Sequence, residues 1–522
     1  MSTETKSVVN PSVASSVGRN TLFGVAATVI QVATRLITVP IVIAHLGMGG
    51  YGIWNIVLTI AAYLRFGSVG IKSAFQKYVA EAIGNGSYNT ASKLLSTGTL
   101  GILFYSIALL LPAALFSRSI AIAAGVKEPF VHSSAIAVSL LAVMMFLSNM
   151  ASAYEAALNG AHRIDLTRKV GTVLSLLEAA FIVTVIRNGY GLAAMATVML
   201  VSQTIYVSLC FVLSRRIIPQ IQIGVKHVTR SVAGELVRYG GSYQLVSILQ
   251  LTYGALAPIA ILRVYGAEPS GIYAIANRLV SPVSMCFYAF LVPALSGSAT
   301  IHASGSIEAI ERFLSKSLKF TLSITLLPLA LMCAFGNDIV LAWTGYRDPN
   351  FGLVLTCVSA ATAANCFALL GLVLYRASGR TIMDNIREVI RILLLLPIVF
   401  LARRLGFVGV LAGIAAVELA GAIFMLLAIK KTFPFLRVRM LVSDIFRFGS
   451  AAAFTIIAGL LTGRLAMIST LPARAGAAAK LAFVGLSIMI AIYPALLLTG
   501  SISRADVDSV LNVFRRRVSG HA

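Results

Sequence analysis

Four arginines fall inside stretches of sequence that are otherwise apolar: Arg35, Arg65, Arg278 and Arg464. A cation in hydrocarbon costs about 2.5 to 3.5 kcal/mol on insertion scales, so each needs water, a partner acid or a substrate anion. Gln31, Thr34, Arg35 and Thr38 recur at helical spacing and make one polar stripe. Arg35 lies roughly 15 Å from the outer end of its helix at 1.5 Å per residue, too deep to reach the interface easily. Similar stripes are Asn55, Thr59 and Tyr63 beside Arg65; Gln244, Ser247, Gln250 and Tyr253; and Tyr273, Asn277, Ser281, Ser284 and Tyr288 beside Arg278. Arginine forks bind phosphate oxygens through paired donors, and tyrosines and hydroxyls suit sugar rings. The competing explanation is interhelical packing, which Ser, Thr and Gln often serve. For Arg35 and Arg278 that explanation requires a buried acid. The acids within apolar stretches are Glu155, Glu178, Asp338 and Glu418. Glu178 and Glu418 are candidates either to pair with Arg464 or another arginine, or to carry a coupling proton or sodium ion. Arg464 lies near a helix end, where snorkelling explains it equally well.

Helices that cross a membrane must position these side chains. Of 522 residues, 58% are hydrophobic and 11% charged, and mean hydropathy is +0.91. A soluble domain has too little core to hide that much apolar surface. Apolar runs of about 20 residues, the length that spans the hydrocarbon, recur along the whole chain. They predict helices at 20–45, 51–70, 94–116, 133–157, 170–187, 190–213, 240–264, 271–297, 317–341, 351–375, 387–402, 407–429, 449–471 and 478–499. The expected fold is therefore an all-α integral membrane protein of about fourteen transmembrane helices.

The polar opening lacks the apolar stretch of a secretory signal and is expected to stay in the cytoplasm. On that assumption the inner segments carry 29 lysines and arginines and the outer ones 9, leaving the four intramembrane arginines. This bias predicts both termini inside. The net charge of +24 then reads as orientation and contact with anionic headgroups, with no nucleic-acid partner. Neither the five cysteines nor the six histidines show ligand spacing, so no metal or other cofactor is expected. The one DxD, Asp506 with Asp508, sits among Val507, Val510, Leu511, Phe514 and Val518, an amphipathic pattern that points to a membrane-surface helix followed by Arg515, Arg516 and Arg517. The 226–239 stretch, with Val228, Val232, Leu236 and Tyr239 on one side, reads the same way.

The chain also resembles itself at an offset of 219 residues: Arg19 with Arg238, Gln31 with Gln250, Gly47 with Gly266, Gly52 with Gly271 and Ile53 with Ile272. GAHRID at Gly160 aligns with GRTIMD at Gly379 in the same register. Six helices per copy is an even number, which makes the repeats parallel about an axis along the membrane normal, with a central cavity between them and two helices appended. The expected organisation is a cytoplasmic tail at 1–19, a six-helix bundle at 20–213, a linker with an amphipathic helix at 214–239, a second six-helix bundle at 240–429, the last helix pair at 430–499 and a basic tail at 500–522.

The stretches LGMGGYGIW (Leu46 to Trp54) and FGSVGIKSAFQKYVA (Phe66 to Ala80) resemble the start of the polysaccharide-transport flippases of the MOP superfamily, relatives of the lipid II flippases. Gly47, Tyr51, Gly52 and Gly70 carry the match, and the two halves extend the likeness over residues 15–430. Ser68 and Val69 stand where the family often has an acid before Gly70, so that acid's role does not carry over. The resemblance implies a carrier rather than an enzyme, flipping an undecaprenyl pyrophosphate-linked oligosaccharide across a bacterial inner membrane for O-antigen or exopolysaccharide synthesis by alternating access. Helices 1, 2, 7 and 8 would line the path, with Arg35, Arg65 and Arg278 on the pyrophosphate and Gln31, Thr38, Gln250, Tyr253, Tyr273, Asn277 and Ser281 on the sugars. Membrane lipids and the polymerase and export machinery are the implied partners. A cation-coupled multidrug exporter of the same superfamily is the nearest rival, and should prefer acids to arginines in its cavity. A membrane glycan polymerase is disfavoured by the short outer loops, the longest about 16 residues between Ser117 and His132.

Overall fold

The computed structural model describes residues 11–64, 72, 75–161, 163–303, 307–377, 382–432, 438–465 and 472–498. Helix α1 runs Pro11–Tyr63. After a π-helical turn at Phe75–Val79 come α2 (Ala80–Gly84), α3 (Tyr88–Leu115), the short α4 (Ser117–Ala123), α5 (Val131–Gly160), α6 (Ile164–Arg187) and α7 (Leu192–Ile217). A 3-10 turn at Val225–His227 leads to α8 (Arg230–Tyr265), α9 (Ala267–Ala303), α10 (Ile307–Thr344), α11 (Phe351–Ala377), α12 (Ile382–Phe400), α13 (Ala402–Thr432), α14 (Val438–Leu465) and α15 (Ala473–Leu498). Among the described residues there is no strand, and nine helices are long and apolar enough to cross a membrane. Each of the fourteen expected spans overlaps one of the helices α1, α3 and α5 to α15, α1 taking the first two; residues 65–70 and 466–471 of those spans lie outside the described residues. The surface is inverted relative to a soluble protein: Val173, Leu177 and Phe181 of α6 and Val201, Ile205 and Leu209 of α7 point outward. Helices alone satisfy their backbone in hydrocarbon, so the chain is an all-α, multi-pass membrane protein.

The chain divides into two compact units, Met1–Gly271 and Ile272–Ala522. In the first, α1 breaks at Gly47, whose φ of 72° and ψ of 171° lie outside the helical region. Its counterpart in the repeat, Gly266, separates α8 from α9 with φ 95° and ψ −172°. Residues with a side chain rarely adopt positive φ, so the aligned glycines mark the same sharp turn made twice.

Just beyond these turns two helix starts cross. A Cβ on Gly52 would stand 2.3 Å from the Ala267 carbonyl oxygen, and one on Gly271 would stand 2.2 Å from the Met48 carbonyl oxygen. Met48 aligns with Ala267 and Gly52 with Gly271, so the contact is reciprocal. It is the pattern of an isologous joint, and the crossing is possible only because neither position carries a side chain.

The segment after α7 is fastened to the start of α3. Ser92 Oγ accepts from the Gln222 backbone N–H at 3.0 Å, Ser96 Oγ from Gly224 at 3.1 Å and Thr97 Oγ1 from Thr229 at 3.1 Å. These hydroxyls satisfy backbone donors of an irregular stretch. They also bring in the start of α8, and here the expected amphipathic surface helix at 226–239 is corrected. From Arg230 onward it is the first turns of α8, with Leu236 buried and Val232 packed in a cluster with Phe75, Val79, Leu94, Leu95, Ile218 and Ile221. Val232 and Leu236 of the apolar face thus lie on protein, and the Tyr239 side chain lies outside the described set.

In the second unit α11, α12 and α13 pack together, and the final pair docks on α10. Lys480 Nζ of α15 meets Asp338 Oδ2 at 2.7 Å. Arg474 donates from Nε to the Ala342 carbonyl at 3.1 Å and from Nη2 to the Trp343 carbonyl at 2.9 Å. Those carbonyls belong to the last turn of α10, where no intrahelical donor remains. Phe335, Val484 and Ile488 form the apolar part of this contact.

Candidate functional site

In the first unit, the arm of α1 before Gly47 holds Gln31, Arg35 and Thr38; the side chains of Gln31 and Arg35 lie outside the described set, as does all of Arg65. The Thr38 hydroxyl donates to the Thr34 carbonyl at 2.5 Å, and Thr34 donates to Ile30 at 2.7 Å. Each hydroxyl hydrogen is thus used within the helix, while the oxygen keeps acceptor capacity. On α8, Gln250 is exposed and Tyr253 is buried. Tyr63 donates to the Thr252 carbonyl at 3.4 Å, which ties the second arm of α1 to α8.

In the second unit, α9 carries Tyr273, Asn277, Arg278 and Ser281. Asn277 is exposed and donates from Nδ2 to the Tyr273 carbonyl at 2.9 Å, while Ser281 donates to the Arg278 carbonyl at 3.1 Å. Arg278 is half-buried, and among the described residues no carboxylate pairs with it. The packing explanation needs such an acid, and the described residues supply none for Arg278.

The acids have individual fates. Glu155 on α5 accepts from the Tyr206 hydroxyl of α7 at 2.8 Å. Glu178 is half-buried on α6. Glu418 on α13 does meet arginines, and these are Arg387 and Arg391 of α12; the Arg464 side chain lies outside the described set.

This arginine pair was missing from the sequence reading, and the correction is specific. The charge tally counted Arg387 and Arg391 with an inner segment although the expected span at 387–402 holds both; α12 starts at Ile382 and buries them, Arg387 only 1% exposed and Arg391 7%. The two arginines contact the same two glutamates. Arg387 Nη1 meets Glu388 Oε1 at 3.3 Å, and Arg391 Nη1 meets Glu388 Oε2 at 2.6 Å. Arg391 Nη2 bonds Glu418 Oε1, Arg387 Nη2 stands 3.6 Å from Glu418 Oε2, and the same Nη2 donates to Asn365 Oδ1 of α11 at 2.6 Å. The signal was periodic: Asp384, Arg387, Glu388, Arg391 and Leu395 recur at helical spacing and are all buried, while Ile386, Val389, Leu393 and Leu394 face outward. A helix with a buried polar face and an apolar outer face is what a membrane span shows when charges are neutralised inside the protein.

The family described as "Polysaccharide biosynthesis protein" matches residues 49–347. No curated protein matches the sequence. Among solved structures, the lipid II flippase MurJ in its inward closed conformation is similar with a TM-score of 0.69 and 14% identity, covering 90% of this chain and 97% of that one. An inward-facing multidrug resistance MATE family transporter of the MOP superfamily is similar at 0.66 and 17%, covering 79% and 95%. A MATE structure in the straight conformation gives 0.58 and 14%, covering 82% and 96%. At these identities the structures establish the fold, which is the one these membrane transporters share, and the family match spans more than half of the chain: this protein belongs to the polysaccharide biosynthesis protein family.

Proposed function

We propose that the transporter moves an oligosaccharide linked to undecaprenyl pyrophosphate from the cytoplasmic to the outer leaflet of a bacterial inner membrane, by alternating access and with both termini in the cytoplasm. The observation that carries this reading is Arg278, a half-buried arginine inside a membrane helix with no carboxylate partner among the described residues. A guanidinium so placed favours an anionic headgroup. The family match to polysaccharide biosynthesis proteins supports a glycan as the rest of the cargo. Arg35 and Arg65 join Arg278 on the pyrophosphate in this proposal, and Gln31, Thr38, Gln250, Tyr253, Tyr273, Asn277 and Ser281 meet the sugars. The protein performs no bond chemistry. It works beside the polymerase and export machinery that consume the flipped unit.

A second reading, a multidrug exporter, is favoured by the likeness to MATE folds. A cationic drug is repelled by an unneutralised arginine, which ranks this reading second. Reconstitution in liposomes separates the two. The proposal expects a labelled lipid pyrophosphate-linked sugar to become accessible on the far leaflet with wild type and not with Arg278→Ala. Efflux of a cationic dye with no movement of the lipid-linked sugar overturns it.

A further inference from the structure

Inside the second unit, Glu388, Glu418 and the Asn365 side-chain oxygen outline an oxygen-lined site of the kind that holds a cation, and the chain's own arginines fill it. Glu388 is 1% and Glu418 6% exposed. Each carboxylate is approached by both arginines, and each arginine spends its two terminal nitrogens on different carboxylates. Among these four groups the charges balance, two positive against two negative, and Asp384 is buried one turn before Arg387. Gly421 lets the stems lie against α13: a Cβ there would stand 3.5 Å from Arg391 Cγ and 3.6 Å from Arg387 Nε. We propose that Arg387 and Arg391 are tethered cations occupying a site built from Glu388, Glu418 and Asn365, that the intact site therefore takes no cation from solution, and that loss of Arg391 opens it to a small monovalent cation.

The geometry says which oxygens open. Without Arg391, Glu418 Oε1 and Glu388 Oε2 lose their donor. Glu418 Oε2 already has no hydrogen-bond partner, its nearest cation being Arg387 Nη2 at 3.6 Å. Arg387 stays on Asn365 and Glu388 Oε1. Three carboxylate oxygens then surround the vacated volume with one unbalanced negative charge. A single positive charge neutralises it, which selects sodium or a proton over a divalent ion. The other groups facing Glu418 are Tyr273 of α9 and Cys366 of α11, with Asp384 buried one turn before Arg387 on α12. The buried arginines and acids thus stand in for an ion that would otherwise be drawn from the medium, and any ion dependence of transport arises at other residues. The inference does not rest on the identity of the cargo.

The test uses the full chain in lipid nanodiscs, with melting followed in sodium or in choline at equal ionic strength and across the pH range in which wild type is folded. Wild type is expected to melt at the same temperature in both salts. Arg391→Gln is expected to melt lower in choline and to recover in sodium or on acidification. The double variant Arg391→Gln with Glu418→Gln restores neutrality and should lose the response to sodium. If Arg391→Gln yields no folded protein in choline, its recovery by sodium during purification, or by the added Glu418→Gln, supports the proposal. Recovery by neither overturns it, as do a sodium response in wild type and an Arg391→Gln variant indifferent to both sodium and pH.

Discussion

Replacing Gly271 with Ala tests the reciprocal crossing most directly. The added Cβ would sit 2.2 Å from the Met48 carbonyl oxygen, and real Cβ contacts essentially never fall under 3.0 Å. The two helix starts must therefore part by about 0.8 Å, and the obstacle is backbone, not the flexible end of a side chain. Overpacking of this kind costs about 1 to 3 kcal/mol. Working against it, Ala is better than Gly within a helix by about 0.5 to 1 kcal/mol. Gly254 supplies the control: it lies inside α8 with nothing within 4 Å of a built Cβ, so Gly254→Ala keeps the helix gain without the clash. Thermal melting of purified protein in detergent should place Gly271→Ala below wild type and Gly254→Ala at or above it. Gly52→Ala should match Gly271→Ala, because its Cβ meets the Ala267 carbonyl at 2.3 Å. One parting of the helices relieves both clashes, so the double variant should lose less than the two single losses added together. A Gly271→Ala protein as stable as Gly254→Ala would refute the reasoning.

Other substitutions probe the remaining contacts. Arg391→Ala should destabilise by about 3 to 5 kcal/mol, the usual effect of leaving a buried partner charge uncompensated; a loss under about 1 kcal/mol in denaturant unfolding would mean the charges are solvated. Tyr375→Phe removes the hydroxyl that shares a hydrogen bond with Thr432 at 2.9 Å from a fully buried ring, and melting should register about 1 kcal/mol. Replacing Ser92, Ser96 and Thr97 together with Ala strips three acceptors from the segment before α8, and proteolysis should then cut between Gln222 and Thr229 faster than in wild type, with equal rates counting against the fastening. Arg474→Ala uncaps the last turn of α10; because Arg474 is exposed, about 1 kcal/mol or less is expected from melting.

Much of this architecture could be read from residue order, because membrane helices announce themselves by length and apolarity. The repeat was legible in Gly47 and Gly52 despite few identities, since a turn at positive φ and a close crossing admit glycine alone. The polar face of α9 was legible too, as Tyr273, Asn277 and Ser281 keep helical spacing. What escaped was the charge cluster of α12, although the expected span at 387–402 covers most of that helix. Hydropathy averages a window, and four charges within eight residues, Asp384 to Arg391, make that average look like a loop end. Only the periodicity of those charges, read jointly with Glu418 some 27 residues on, shows that the arginines have acids to meet inside the protein. The 226–239 segment failed for a related reason: an amphipathic stripe declares that it needs an apolar neighbour without saying whether that neighbour is lipid or protein.

The paired charges also bear on how the chain is made. At about 2.5 to 3.5 kcal/mol per charged residue, α12 presents a poor signal to the machinery that integrates nascent helices one at a time. Glu418, which meets both arginines of α12, emerges only with α13, which starts two residues after α12 ends. The two helices are thus suited to insert together as a hairpin, in which the arginines of α12 meet Glu418 of α13.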